Sequence, residues 1–283
     1  MGSIEKLGLA TQEQTALIDL LDRHHGVIVL VGPNRDARLA TLRTLQLHLE
    51  AHRRDIAPLS QSKLMVEHLT ATATAEIGQR VSATPSWTTT AVSGHGTPVV
   101  LIPDLEDPLM LELACNHGQQ GTLVLVTMPE VDGAHLLMEC ADDGVDREAL
   151  ANGLLAVITQ HTVPKACPLC RIDLAPSFAL EESFEQTFGA LGFPFPGFQL
   201  REGRGCHTCD FTGTFGTIQV YEFLYLSRAV KDQVIEDPRL ELIDTRAMEE
   251  GMLSWESKLY FRLKRGDVSL KAAMDVLRLS QGR

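Results

Sequence analysis

Four of the six cysteines in this chain form two Cys-x-x-Cys pairs, and the pairing predicts a metal site. A Cys-x-x-Cys turn presents two thiolates to one ion, and two such turns complete a tetrahedron of sulfur ligands around zinc. Because protein then fills all four positions, such a site is structural and leaves no position for a substrate. The predicted Zn²⁺ ligands are Cys167, Cys170, Cys206 and Cys209.

The two pairs are separated by residues 171–205, which is longer than the roughly 15 to 20 residues of a zinc ribbon. The metal is therefore expected to close a small subdomain, with Gly203, Gly205 and Gly213 supplying the tight turns that metal knuckles need. The alternative is two unrelated thiol pairs, redox-active or buried. Neither pair follows the start of a βαβ unit, as a thioredoxin-like motif does.

A second candidate site follows an apolar run at 27–31, which is typical of a strand buried on both faces of a parallel sheet. A polar loop and then a helix with a leucine face come next, and this order of strand, loop and helix is the context of a phosphate-binding loop. An anion at the helix N-terminus would meet backbone N–H groups and two arginines. The loop residues concerned are Gly32, Pro33, Arg35 and Arg38.

Three acidic residues, Asp104, Glu106 and Asp107, follow a second apolar strand at 98–102. They either have a functional role or supply favourable negative charges at the N-terminus of a helix at 109–116. A third apolar strand is predicted at 121–127. The alternation of strands and helices predicts an α/β fold.

Further elements follow from hydrophobic periodicity and capping residues. Thr11 and Gln14 have the form of a capping box that opens a helix extending to about His24. Cys115 and Cys140 are predicted to be buried packing residues in apolar helices. The other predicted elements are helices at 132–141, from 146 to about 160, 178–188, 228–235, 242–263 and 269–279, the last capped by Ser269, and a strand at 218–224.

Composition and charge restrict the classes of function. The net charge of −12 and pI near 5.3 argue against a non-specific nucleic-acid binder, whose affinity comes from cationic contacts to phosphates. The apolar runs are shorter than the roughly 18 residues of a membrane span, and the N-terminus lacks a signal-peptide core. We therefore expect a cytoplasmic chain without direct membrane insertion, at most peripheral to the inner membrane through partners, in which paired cysteines bind metal.

The segment 205–216, together with 167–170, resembles the zinc-binding segment of the hexameric motor ATPases of type II secretion and type IV pilus assembly. In that family the zinc segment ends in a strand with a Tyr-Glu pair, here Tyr221 and Glu222. A His-Gly pair also leads a strand into a Gly-Pro phosphate loop, as His25-Gly26 and Gly32-Pro33 do here. The resemblance extends in consistent order from Leu7 to Leu279.

This resemblance implies an α/β fold with a RecA-like, P-loop-type parallel sheet and flanking helices, plus a zinc-knuckle subdomain and a helical C-terminal tail. The implied parts are a degenerate RecA-like core at 1–160, a four-cysteine zinc-binding subdomain at 161–225 and the tail at 226–283. The family's nucleotide motifs, however, are degenerate. Arg35 and Ala37 stand where the family has glycines, Arg38 where it has the phosphate-loop lysine, and Leu39 where it has the hydroxyl that ligates Mg²⁺.

The other family motifs are altered as well. Asp104 is the nearest match to the family's catalytic acid, Pro129 replaces a histidine, and the stretch 56–61 lacks the family's acidic residues. Glycines let backbone N–H groups close around phosphates, and a leucine cannot ligate a hard cation. We therefore expect no catalytic residues, and the chemistry argues against ATP and Mg²⁺ as cofactors.

The expected function is a structural or regulatory pseudo-ATPase of a type II secretion or type IV pilus system. Its expected partner is a related motor ATPase or another cytoplasmic component of the same machine, with homo-oligomerisation as a further possibility. Two alternatives stay open: a weak ATPase that uses Arg35, Arg38 and Asp104, and a module that senses an anion or nucleotide through the two arginines. The aromatic loop 192–198 is expected to pack within the zinc subdomain rather than to contact a partner.

Overall fold

The computed structural model describes residues 4–52, 90–92, 99–175, 177–195 and 197–281. The segment 56–61, discussed above for its missing acidic residues, lies outside this part of the chain. The described residues form a mixed α/β structure with one six-stranded sheet and one two-stranded sheet. The predicted α/β class with a mostly parallel sheet and flanking helices is confirmed.

The strands are β1 (Gly26–Val31), β2 (Thr90–Val92), β3 (Val99–Ile102), β4 (Leu123–Met128), β5 (Leu154–Ala166), β6 (Arg171–Asp173), β7 (Arg201–Gly203) and β8 (Thr214–Tyr225). Four of the strands, β1, β3, β4 and β8, lie at predicted strand positions. The large sheet has the order β2-β3-β4-β1-β5-β8, in which β3, β4, β1 and β5 pair in parallel and β2 pairs antiparallel to β3. Every residue of β1, β3 and β4 is buried, as expected for strands covered on both faces.

The helices are α1 (Thr11–Leu21), α2 (Arg35–His52), α3 (Pro108–Gln119), α4 (Gly133–Asp142), α5 (Arg147–Gly153), α6 (Phe178–Phe184), α7 (Arg228–Glu236), α8 (Leu240–Glu249), α9 (Trp255–Lys264) and α10 (Leu270–Gln281). Side-chain oxygens accept from backbone N–H groups at the start of many of them, including Ser269 before α10, as predicted. None of the helices in the described ranges is long and apolar enough to cross a membrane.

The predicted capping box of α1 is wrong in its residues. The N-cap is Ala10, and its N–H donates to the Glu13 Oε2 atom at 2.8 Å, whereas Gln14 Nε2 donates to the carbonyl of Leu9. Glu13 is the third helical residue, the position from which a side chain reaches back to the N-cap. The helix also ends at Leu21, three residues before the predicted end.

The predicted helix from 146 to about 160 is wrong in its second half. Asp146 does cap a helix, since its Oδ1 atom accepts from the N–H groups of Glu148 and Ala149, but α5 ends at Gly153. Gly153 lies against α3, where an added Cβ atom would come within 2.4 Å of the Cys115 Cβ atom. The chain then continues as β5, because the following Val157 and Ile158 are β-branched and fill the space beside β1.

The predicted helix at 242–263 is in fact two helices, α8 and α9. Gly251 stands between them with a φ angle of +96°, a backbone conformation that glycine adopts readily. The Ser254 Oγ atom then accepts from the Ser257 N–H group and starts α9. A glycine stop followed by a serine cap therefore interrupts the helical periodicity.

Contacts divide the described residues into two compact units. Unit 1 contains those within Met1–Gln160 and Glu222–Met252, and unit 2 those within His161–Tyr221 and Leu253–Arg283. The core of unit 1 includes Cys115 and Cys140, which are fully buried among apolar side chains, as predicted. The three-part division of the chain at 1–160, 161–225 and 226–283 remains a prediction.

The core of unit 2 combines aliphatic side chains with a cluster of aromatic rings. Phe184 and Phe188 are fully buried, and Tyr260 stacks on Phe193 with ring centroids 4.9 Å apart. The Tyr260 hydroxyl also donates to the carbonyl of Pro194 at 3.3 Å. The described part of the loop 192–198 therefore packs within unit 2, as expected.

Candidate functional sites: an arginine-filled loop and a four-cysteine cluster

The loop between β1 and α2 has its shape fixed by its backbone surroundings. Gly32 has a φ angle of +149°, and a Cβ atom added there would lie only 2.1 Å from the Gln160 carbonyl oxygen on β5. Any larger residue would push β1 and β5 apart. Asn34 completes the loop, since its Oδ1 atom accepts from the Ala37 N–H group at 3.0 Å and caps α2.

Arg38 points back into this loop and is 2% exposed. Its Nη1 atom donates to the Gly32 carbonyl oxygen, and its Nη2 atom donates to the Asp104 Oδ1 atom at 3.0 Å. Its Nε atom is buried and has no hydrogen-bond partner among the described residues. The guanidinium group is therefore directed into the loop interior rather than toward solvent.

Asp104 completes the cluster from the end of β3. Its Oδ2 atom accepts from the Arg35 Nε atom, so one carboxylate pairs with both arginines of the loop. Asp104 has a φ angle of +63°, and its N–H donates to the Thr127 Oγ1 atom at 2.8 Å. Its position is thus held by β4 as well as by the arginines.

The electrostatics of this cluster follow from burial and pairing. Burial raises the pKa of Asp104, but hydrogen bonds from Arg35 and Arg38 outweigh that effect, and the net pKa is lowered. Burial lowers the pKa of Arg38, and the hydrogen bond to Asp104 opposes this. The carboxylate is therefore ionised at neutral pH and supplies the negative charge that the buried guanidinium needs.

The two predicted roles for the acidic residues separate in the structure. Asp107 is the N-cap of α3, since its Oδ1 atom accepts from the Leu109 N–H group at 2.9 Å. Asp104 instead belongs to the loop cluster, and Glu106 is exposed. The sequence analysis missed the contribution of Thr127. Thr127 is a polar residue near the end of an apolar strand, next to the strand that leads to Asp104, and this position is the signal that would have identified it.

A second buried polar group was also missed. The Thr159 Oγ1 atom on β5 accepts from the Gly133 N–H group at the start of α4 and donates to the Glu222 Oε1 atom on β8, at 3.2 Å in both cases. Both side chains are buried. This network satisfies polar groups between β5, β8 and α4 and links the middle of β5 to both neighbouring elements.

Asp104→Asn is expected to reduce the free energy of unfolding at pH 7 by about 2 kcal/mol, less than the roughly 3 to 5 kcal/mol for a fully buried pair because Asp104 is 23% exposed. Because the folded pKa is lowered, this stabilisation is present above the unfolded pKa near 3.9 and is lost as the pH falls through the folded value. Urea unfolding of both proteins from about pH 3 to pH 8 should show a constant difference above about pH 5 that shrinks below about pH 4. The control is Asp36→Asn, which removes an exposed carboxylate from the first turn of α2. A stability difference between Asp104→Asn and the unmodified chain that persists unchanged in acid would contradict the assignment.

The four predicted zinc ligands come together in unit 2. Their sulfur atoms all lie within 4.8 Å of one another, and three of the Sγ–Sγ distances are 3.9 Å (Cys167–Cys206), 3.8 Å (Cys170–Cys209) and 3.7 Å (Cys206–Cys209). Four sulfurs bound at about 2.3 Å to one tetrahedral ion lie about 3.8 Å apart. The donor set and its size therefore fit Zn²⁺.

Glycines and a short hairpin position these cysteines. Cβ atoms added to Gly203 and Gly213 would lie 2.0 and 2.3 Å from the carbonyl oxygen of the other glycine, and the Gly213 carbonyl accepts from the Cys167 N–H at 2.9 Å. Strands β6 and β7 pair antiparallel directly after the first cysteine pair and before the second. This pairing brings together the two ends of the segment between the cysteine pairs, residues 171–205. The two Cys-x-x-Cys turns therefore lie close together despite the length of that segment.

The protonation of one thiol also suits a metal ligand. Burial raises the pKa of Cys209, but hydrogen bonds from the backbone N–H groups of Cys206 and Gly213 outweigh this and lower the pKa to about 6. The Cys206 N–H group lies 3.2 Å from the Cys209 sulfur. Burial raises the pKa of the neighbouring Cys170 thiol to about 12, so the first proton that the cluster gives up comes from Cys209, and a thiolate is the form that ligates metals.

A mostly parallel sheet whose first strand leads through a glycine loop into a long helix is the architecture of nucleotide-binding α/β domains. The chain belongs to the type II/IV secretion system protein family, whose model matches residues 1–271. The suspected family is thereby confirmed.

Relatives and solved structures agree with this assignment. Type II secretion system protein E of Dickeya dadantii is 26% identical over 232 residues, covering 82% of this chain and 44% of the relative, and that of Aeromonas hydrophila is 23% identical over 277 residues, covering 97% and 53%. The pilus retraction motor PilT with bound ADP has a TM-score of 0.59 at 16% identity, covering 97% of this chain and 66% of PilT. The Legionella pneumophila ATPase DotB has a TM-score of 0.57 at 10% identity, covering 96% and 64%. These structural likenesses show the fold, and the chain spans about half the length of the curated relatives that it matches.

Proposed function

We propose that this chain is a pseudo-ATPase, a motor-type domain that has a structural or regulatory role in a type II secretion or type IV pilus machine. The observation that carries the proposal is the filled phosphate-type loop. Arg38 is buried against Gly32 and paired with Asp104, the nearest match to the catalytic acid. Pairing with two arginines lowers the pKa of the Asp104 carboxyl, and a carboxylate with a lowered pKa is a weak general base for activating water.

We further propose that one Zn²⁺ ion binds Cys167, Cys170, Cys206 and Cys209. The tetrahedral spacing of the sulfurs supports this assignment. With four protein ligands the ion would have a structural role, and it would link β6, β7 and the start of β8. The described chain thus combines a metal site suited to stabilising unit 2 with a loop unsuited to phosphate chemistry.

A pseudo-ATPase acts through binding, and the proposed partner is a catalytically intact motor ATPase of the same machine, with self-association as a further possibility. The supporting observation is two large apolar side chains beside the cysteines, Leu169 and Phe211, which are 72% and 67% exposed. Phe211 has a φ angle of +61°, a conformation that a bulky residue rarely adopts. An exposed aromatic residue in a strained backbone conformation is typical of a binding surface.

Purification of the chain from its native host is expected to recover a motor ATPase of the same machine. Phe211→Asn should reduce that recovery by about tenfold or more, because a central aromatic contact contributes about 2 kcal/mol or more, and asparagine tolerates the backbone of residue 211. Met248→Ser, which changes another exposed apolar side chain on α8 of unit 1, is the matched control. Recovery of the chain alone, or equal recovery with both variants, would contradict the docking role.

A further inference from the structure

The loop between β1 and α2 contains the elements of an anion-binding site and also an anion. The N-terminus of an 18-residue helix attracts negative charge, and the Arg38 guanidinium lies buried beside it with an Nε atom that has no hydrogen-bond partner among the described residues. The group that the two arginines hold is the Asp104 carboxylate of the same chain. A buried guanidinium requires a counter-charge, and here the protein supplies it.

We propose that Asp104 is an intramolecular anion that occupies this site and closes it to external oxyanions of the phosphate class. The inference deepens the proposed pseudo-ATPase function, on which it rests, by assigning the closure of the loop to a single residue. It differs from a simple loss of motif residues, because the site retains two arginines and a capped helix N-terminus that could bind an anion. The carboxylate competes with an external anion for the same positive charge.

The backbone supports this role of Asp104. Its left-handed conformation is held by the Thr127 hydroxyl, and the Leu105 N–H donates to the Thr127 carbonyl at 2.8 Å. These bonds anchor the backbone of Asp104 to β4, and the carboxylate then pairs with the two arginines. Because asparagine also tolerates this conformation, Asp104→Asn removes the charge while keeping the turn.

The experiment is an isothermal calorimetric titration of the chain with inorganic pyrophosphate, without Mg²⁺ and at constant ionic strength. Asp104→Asn is expected to bind pyrophosphate at least about tenfold more tightly than the unmodified chain, because a carboxylate within hydrogen-bond distance of the site no longer repels the ligand. Asp36→Asn removes one carboxylate from an exposed position in the first turn of α2, without a hydrogen bond to the arginines in the described residues, and it should raise the affinity much less. Adding Arg38→Gln to Asp104→Asn should abolish the gain.

Equal affinity in the unmodified chain and Asp104→Asn, whether both bind or neither does, would overturn the proposal. So would an equal gain in Asp36→Asn, which would show that net charge alone controls binding. If Asp104→Asn does not fold, Asp104→Gly provides the same test, since glycine also tolerates the left-handed backbone and carries no charge. The titration measures binding only, so its failure is distinguishable from failure of the pseudo-ATPase proposal, which ATP hydrolysis by the unmodified chain would reveal.

Discussion

Mg²⁺-dependent ATP hydrolysis by this chain is expected to lie at least about 10⁵-fold below that of a motor with an intact phosphate loop. Removing one preorganised electrostatic donor raises the activation free energy by about 2.7 to 4 kcal/mol. Here residues of other types stand where the family has the phosphate-loop lysine, the hydroxyl that ligates Mg²⁺ and two loop glycines. The structure adds a reason, because Arg38 is buried and paired with Asp104 inside the loop. Phosphate release at saturating ATP and Mg²⁺ is the measurement.

The control for this prediction is Asp104→Ala, which removes the nearest match to a catalytic acid. Phosphate release should be the same in both proteins and equal to the background. Mg²⁺-dependent release that disappears in Asp104→Ala would show a working active site and contradict the pseudo-ATPase proposal. A quadruple variant, Arg35→Gly, Ala37→Gly, Arg38→Lys and Leu39→Thr, should recover nucleotide binding without turnover, since Pro129 still stands where the family has a histidine.

The second large effect concerns the cysteine cluster. Purified protein is expected to contain one zinc per chain by elemental analysis, and Cys206→Ser should lose the metal and unfold the segment around it. Structural zinc contributes on the order of 10 kcal/mol to the folding of small zinc domains, because the site does not exist in the unfolded chain. Hydrogen exchange should show lost protection in β6, β7 and the start of β8.

Cys140→Ala is the matched control for the zinc prediction, since Cys140 is buried in unit 1 and lies outside the cluster. That variant should retain one zinc per chain and normal exchange protection in unit 2. A metal content near zero in the unmodified protein, with all four cluster thiols open to a thiol reagent in the native state, would contradict the assignment.

Sequence patterns identified the buried strands and the candidate metal ligands because each of these signals is local. An uninterrupted run such as 27–31 has one stable placement, between two layers of helices. A Cys-x-x-Cys turn likewise contains most of its own geometry, and only the approach of the two turns depends on the rest of the fold. Both predictions required little knowledge of which elements become neighbours.

The misassigned element, β5, shows where local signals fail. The stretch from Asp146 begins as a capped helix, and its leucines continue the helical spacing past Gly153. Its conversion to a strand depends on α3, which leaves no room for a side chain at Gly153, and on the open edge of β1. The β-branched residues of β5 favour a strand, but this preference decides the assignment only once the helix is known to end at Gly153.

The pairing of Asp104 with Arg38 could not be read from sequence either. The two residues are 66 positions apart, and each has an ordinary local explanation, as a charge near a helix start and as a polar residue on a helix. Their contact follows from the parallel order of β3, β4 and β1, which brings the loops after β1 and β3 to the same edge of the sheet. The topology therefore converts two unremarkable charges into a paired cluster.

The division into units has a consequence for truncating the chain. The chain passes between unit 1 and unit 2 three times, after Gln160, Tyr221 and Met252, so neither unit is a contiguous stretch of sequence. Excising 161–221 would remove most of unit 2 but leave its helices α9 and α10 without the rest of their unit. Ending the chain at residue 160 would also remove Glu222, which accepts a hydrogen bond from Thr159. No single cut in the chain therefore separates the two units, because each is built from two stretches of sequence.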